Sequence, residues 1–65
     1  MVAEKIRAYI KEQGLKQGAV AAKAGLTDAE MSAYLTGTTR LKADVFFRIC
    51  DALGVSADTF RPDPQ

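Results

Sequence analysis

Residues 17–36, QGAVAAKAGLTDAEMSAYLT, read as two short helices joined by a tight corner. The first is expected over Gln17–Ala24, closed by Gly25, with Leu26 packing the corner. Thr27 then opens the second. Thr27-Asp28-Ala29-Glu30 fits a capping box, in which the Thr hydroxyl accepts from the Glu30 amide and the Glu30 carboxylate reaches back. Asp28 and Glu30 also suit the positive end of a helix dipole. Ala21, Gly25 and Leu26 keep the corner small enough for the two helices to pack closely.

Working outward, Val2 to Gln13 reads as an amphipathic helix, with Val2, Ile6, Tyr9, Ile10 and Gln13 on one face. Gly14 ends it, and Leu15 is expected to turn back into the core. In the next helix Val20, Ala21 and Ala24 are the expected buried positions, and Gly18 sits oddly in its first turn, at a cost of up to ~1 kcal/mol relative to Ala. In the third, Asp28–Thr36, Met31, Tyr34 and Leu35 cluster with Thr27 on the inner side. Its outer side is Asp28, Ala29, Ser32, Ala33 and Thr36. A polar, basic loop follows, and then a helix over Ala43–Leu53 with Val45, Phe46, Ile49, Cys50 and Leu53 inward. Ser56 to Phe60 forms one capped turn that tucks Phe60 against the domain. Pro62 and Pro64 leave 61–65 as a frayed tail.

The chain is 65 residues long, room for one small domain spanning 1–65 whose core must be efficient. No apolar run approaches a membrane span and no signal peptide opens the chain. The single Cys50 cannot pair internally, so the cytoplasm is the expected location, with nucleoid association when the chain is on DNA. Net charge is only +1, but it is uneven: residues 1–27 carry +3 and residues 43–65 carry −2. A basic front and an acidic back would orient the domain on a polyanion, although ordinary solvated surface explains the pattern almost as well. There is no His, no Gly-rich phosphate loop and no Cys/His metal spacing, and a bundle this small is expected to hold no cavity. An enzyme, a cofactor, a metal and a small-molecule substrate are therefore not expected.

The central pair of helices has the spacing of a helix-turn-helix, whose second helix is offered to the major groove of DNA. With the string Ala52-Leu53-Gly54-Val55-Ser56, and with Gln17, Ala21, Gly25 and Gly37 all in register, the chain resembles the Cro/cI-type (XRE) helix-turn-helix domain of phage and bacterial repressors. The resemblance runs from about Ala3 to Phe60. It implies an all-α, lambda-repressor-like bundle of five short helices that binds operator DNA and regulates transcription, usually as a symmetric dimer. On that resemblance Asp28, Ala29, Ser32 and Ala33 match positions that meet base edges. Gln17 matches a phosphate contact, and Thr38, Thr39, Arg40 and Lys42 match the loop along the sugar-phosphate backbone. Lys16 and Thr36 are grouped with those phosphate contacts.

The departures carry information too. Relatives often place Gln, Arg, Asn or Lys at the base-reading positions, whereas here Asp28 can accept only from cytosine N4, and Ala29 and Ala33 can only pack on a thymine methyl. Many relatives pair an Arg of the first helix with a Glu of the third; Ile10 and Leu35 stand there, so an apolar contact is expected instead. Phe47 lies opposite the inward stripe of its helix and should be exposed, which makes it, with Phe60 and Pro62, the candidate homodimer contact. Two functions compete. One is a dimeric DNA-binding repressor on an inverted repeat with half-sites about one helical turn apart. The other is a protein-interaction module, anti-repressor or antitoxin-like, that meets another regulator through the acidic, small-residue face of the third helix.

Overall fold

The computed structural model describes residues 2–60. Among them the order is α1 (Val2–Glu12), α2 (Gln17–Ala24), α3 (Asp28–Thr36), α4 (Ala43–Leu53) and a single 3-10 turn, Ala57–Phe60. The chain is all-helical there, with four α-helices rather than the five helices expected. The last element is too short for an α-helical ladder: the Thr59 amide donates to the Ser56 carbonyl, an i→i+3 bond of 3.1 Å. Pro62 follows two residues after Phe60, and proline and the residue before it both resist a further helical turn.

Three of the helices end in the same way. After α1 the Gly14 and Leu15 amides donate to Lys11 and Ile10; after α2 Gly25 and Leu26 donate to Ala22 and Ala21; after α4 Gly54 and Val55 donate to Asp51 and Cys50. This is the paired bonding of a Schellman motif, which satisfies the last carbonyls of each helix. The motif sets each exit direction, and with it the pairing of helices: α2 packs on α4 and α3, while α1 packs on α3 and the 3-10 turn.

The core is Ile6, Ile10, Val20, Ala21, Ala24, Met31, Leu35, Val45, Ile49, Cys50 and Phe60. Removing one of its large side chains from water contributes about 1.5–3 kcal/mol. No charged or polar side chain is buried among the described residues, and Ile10 and Leu35 both lie in this cluster. Tyr34, Phe46 and Leu53 are half-buried at its edge. Ala3, not foreseen as core, is buried as well.

Three sequence expectations need correction. Leu15 does not return to the core; it is 44% exposed. Its amide is tied to Ile10, and its side chain borders a shallow cleft between α2 and the end of α4 instead of filling the core. Thr27 is exposed rather than inward, its hydroxyl being used as a cap. Phe60 is 1% exposed, so it is core and not a surface for a second copy. Its ring meets Tyr9 edge-on at 5.5 Å and Phe46 at 6.4 Å. Pro62 and the expected tail at 61–65 lie outside the described residues.

Candidate nucleic-acid interface

α3 is fixed at its start by its own sequence. Thr27 Oγ1 accepts from the Glu30 amide at 3.0 Å, and Glu30 Oε1 accepts from the Thr27 amide at 2.9 Å. The capping box is therefore complete. The Thr27 amide, then the Thr27 hydroxyl, and beyond them the charge of Arg48 hold the Glu30 carboxyl below its ordinary range, against a counter-effect of desolvation. Met31 and Leu35 are buried on the inner side of α3. Asp28, Ala29, Ser32 and Thr36 are exposed on the other, and Ala33 is half-buried.

The corner between α2 and α3 is held by a residue that periodicity alone did not single out. Arg48, on α4, donates from Nε to the Ala24 carbonyl and from Nη2 to the Gly25 carbonyl, both at 2.9 Å. These bonds occupy carbonyls that the end of α2 would otherwise leave open. Gly25 is required twice over. Its φ is +74°, and a Cβ there would stand 2.7 Å from Arg48 Nη2. No local sequence signal marks this contact, because Arg48 is separated from its partners by 23 and 24 residues.

The starts of α2 and α4 differ from that of α3. Lys16 and Lys42 occupy the two N-cap positions in extended conformation, and neither helix has a side-chain cap. Their first amides have no side-chain acceptor, the arrangement that suits an outside anion. Gln17 is half-buried at the first position of α2. One further contact brings the starts of α2 and α3 together. A Cβ at Gly18 would lie 3.1 Å from Asp28 Oδ1, so the Asp28 carboxylate leans over the first turn of α2. The glycine that looked misplaced in the sequence leaves room for that carboxylate.

Beyond α3 the loop folds back on the helix. The Thr39 amide donates to the Ala33 carbonyl at 3.1 Å, and half-buried Leu41 anchors the loop. Thr38, Thr39, Arg40 and Lys42 are exposed. Thr36 is less available than its place on α3 implied. Its hydroxyl donates to the Ser32 carbonyl at 2.9 Å and lies 3.1 Å from the Thr38 hydroxyl, so its proton is already committed. Contrary to the expectation of no cavity, an open cleft of about 770 Å³ runs between the start of α1 and this loop, lined by Val2, Tyr34, Arg40, Leu41 and Phe46. Among the described residues no carboxylate lines it.

Phe47 is 54% exposed, as the periodicity of α4 implied. Burial pushes the Cys50 thiol up, and the Asp51 charge adds to the effect, so the group is a small apolar filler rather than a nucleophile. No helix among the described residues is long and apolar enough to cross a membrane.

A family model described as Helix-turn-helix matches residues 6–60. No curated protein and no solved structure matches the chain.

Proposed function

Since the chain belongs to the Cro/cI-type (XRE) helix-turn-helix family of DNA-binding transcription regulators, we propose that it is a repressor that lays α3 in the major groove of an operator. The observation that supports this most is the two-sided character of α3: Met31 and Leu35 are locked inside while Asp28, Ala29 and Ser32 are bare. Asp28 accepts from cytosine N4, Ser32 pairs with several edges, and Ala29 and Ala33 pack on thymine methyls. Lys16, Gln17, Thr38, Thr39, Arg40 and Lys42 supply the phosphate contacts that set register. Thr36, with its proton committed to Ser32, contributes none. Repression is steric: the occupied operator excludes polymerase. More than one copy acts on the site, and exposed Phe47 is the side chain through which copies meet.

Selection of bound sequences from a random duplex pool tests the proposal. Enrichment of a short discrete motif is expected; a selected pool indistinguishable from the starting pool would overturn it. The second reading, a protein-interaction module, draws on one observation, the exposed carboxylates of Asp28 and Glu30 in the first turn of α3. On that reading the domain shows no salt-sensitive affinity for any duplex.

A further inference from the structure

Among the described residues the two large apolar side chains left in solvent are Leu15, beside Lys16 and Lys23, and Phe47, on one helix face with Asp44 and Asp51. Leu15 borders a cleft of about 160 Å³ between α2 and the end of α4. Its apolar wall is Val20 and Leu53, and Lys16 and Lys23 are in its lining. Phe47 lies on the outer face of α4, with Asp44 about one turn before it and Asp51 about one turn after it, and all three are exposed. At 100° per residue these three side chains share a sector of roughly 60°. Among the described residues none of Lys16, Lys23, Asp44 and Asp51 forms an ion pair within its own chain.

From these two patches we propose that copies of the chain associate head to tail, Phe47 of one copy entering the Leu15 cleft of the next. The fit is one of size and of charge. A cavity of ~150 Å³ accepts a benzene ring, which is the shape Phe47 offers. Asp44 and Asp51 then face Lys16 and Lys23, so the apolar contact is rimmed by opposite charges. A symmetric contact through Phe47 has the reverse electrostatics: it sets the Asp44 and Asp51 carboxylates of both copies against one another. Arg48, the nearest cation in sequence, is already held on the Ala24 and Gly25 carbonyls. Unlike the symmetric dimer implied by the resemblance, this contact is heterologous: it leaves the Phe47 ring, tilted against Phe46 at 5.7 Å, unmatched at one end and the cleft unfilled at the other, and so can propagate. The association goes beyond the regulator reading and is measured without DNA, because Lys16 serves a phosphate in that reading and the rim of the cleft in this one.

The test is the mass of the full chain by light scattering and sedimentation, at low and high salt, up to about 1 mM, the range of the weakest specific contacts. Wild type is expected to grow in mass with concentration and to shrink with salt. Phe47→Asp and Leu15→Asp should each be monomeric when alone. Mixed, they should form a 1:1 complex and nothing larger, because one retains the cleft and the other the ring. Both side chains are exposed, so neither change empties the core, and circular dichroism checks that both variants are folded. Lys23→Glu and Asp51→Lys form a milder second pair with the same expectation: each weak alone, and restored on mixing. A wild type that stays monomeric throughout overturns the proposal. So does a Leu15→Asp variant that associates like wild type, which would mark a symmetric Phe47 contact, and so does a mixture that fails to pair.

Discussion

Helices α2 and α4 begin on a lysine with no side chain over their first amides, whereas α3 begins on Thr27 with Glu30 locked back onto it. The difference separates two tasks that a DNA-reading domain must perform. The capping box gives α3 a definite axial position, and the Asp28 carboxylate beside it repels phosphate. The lysine-led starts of α2 and α4 have no side-chain cap, but each has a carboxylate close by, Asp28 over the first turn of α2 and Asp44 in the first turn of α4. On the proposed reading the phosphate contacts come from the lysines and the loop after α3, and the base contacts from α3. The corner between α2 and α3 keeps the two in register through the Arg48 bonds to Ala24 and Gly25.

The strongest way to break this division is to unseat the corner. Gly25→Ala forces a side chain into a left-handed residue, which costs roughly 1–2 kcal/mol, and pushes a methyl to 2.7 Å from Arg48 Nη2. Arg48 Nη2 is the far end of an exposed, flexible side chain and can shift at small cost, so the left-handed backbone dominates the effect. In so small a domain the melting temperature should fall by several degrees, at roughly 4–8 °C per kcal/mol. Thermal denaturation followed by circular dichroism reads this directly.

Opening the sealed start is the next largest change. Thr27→Ala removes the cap from α3 and is expected to cost about 1 kcal/mol, measured by urea denaturation. The same cap has a pH signature. The folded-state pKa of Glu30 lies below its ordinary value, so its contribution is present above the unfolded pKa and is lost as pH falls through the folded one. Wild type should therefore weaken through the acidic end of the carboxylate range, and Thr27→Ala should weaken less over the same window.

The contact between the two kinds of start is the smallest effect. Gly18→Ala gains helix propensity, up to ~1 kcal/mol, but it crowds Asp28 Oδ1 at 3.1 Å. The gain should be larger in an Asp28→Ala background than in wild type, by a few tenths of a kcal/mol in a double-mutant cycle. Equal gains in both backgrounds would show that Asp28 does not lean on α2.

Legibility in the sequence followed the range of the interactions. The bounds of α2, α3 and α4 rest on signals within one or two turns: glycines 25, 37 and 54, and the Thr27–Glu30 box. The same holds for the inner stripe of α3 and for exposed Phe47, which follow from 100° per residue. What escaped depends on how helices cross. Leu15 follows a glycine stop as Leu26 and Val55 do, yet those two are half-buried and Leu15 only borders a cleft, a difference that no local signal marks. Phe60 was placed both against the domain and at a surface; burial against Tyr9 and Phe46 decides for the first. Arg48 carries no local signal, and its role exists only once α4 lies across the end of α2. The hydrogen bond from the Thr36 hydroxyl to the Ser32 carbonyl was visible only in coordinates.

The claim on which the account rests is that lysine-led helix starts and the loop after α3 hold a duplex against the outer face of α3. The most direct measurement is the affinity of wild type and Lys42→Gln for a labelled duplex over a series of salt concentrations. The account predicts that log affinity falls linearly with log salt and that Lys42→Gln lowers the slope by about 1, alike on every duplex sequence. Binding that ignores salt, or a slope that Lys42→Gln leaves unchanged, would contradict it.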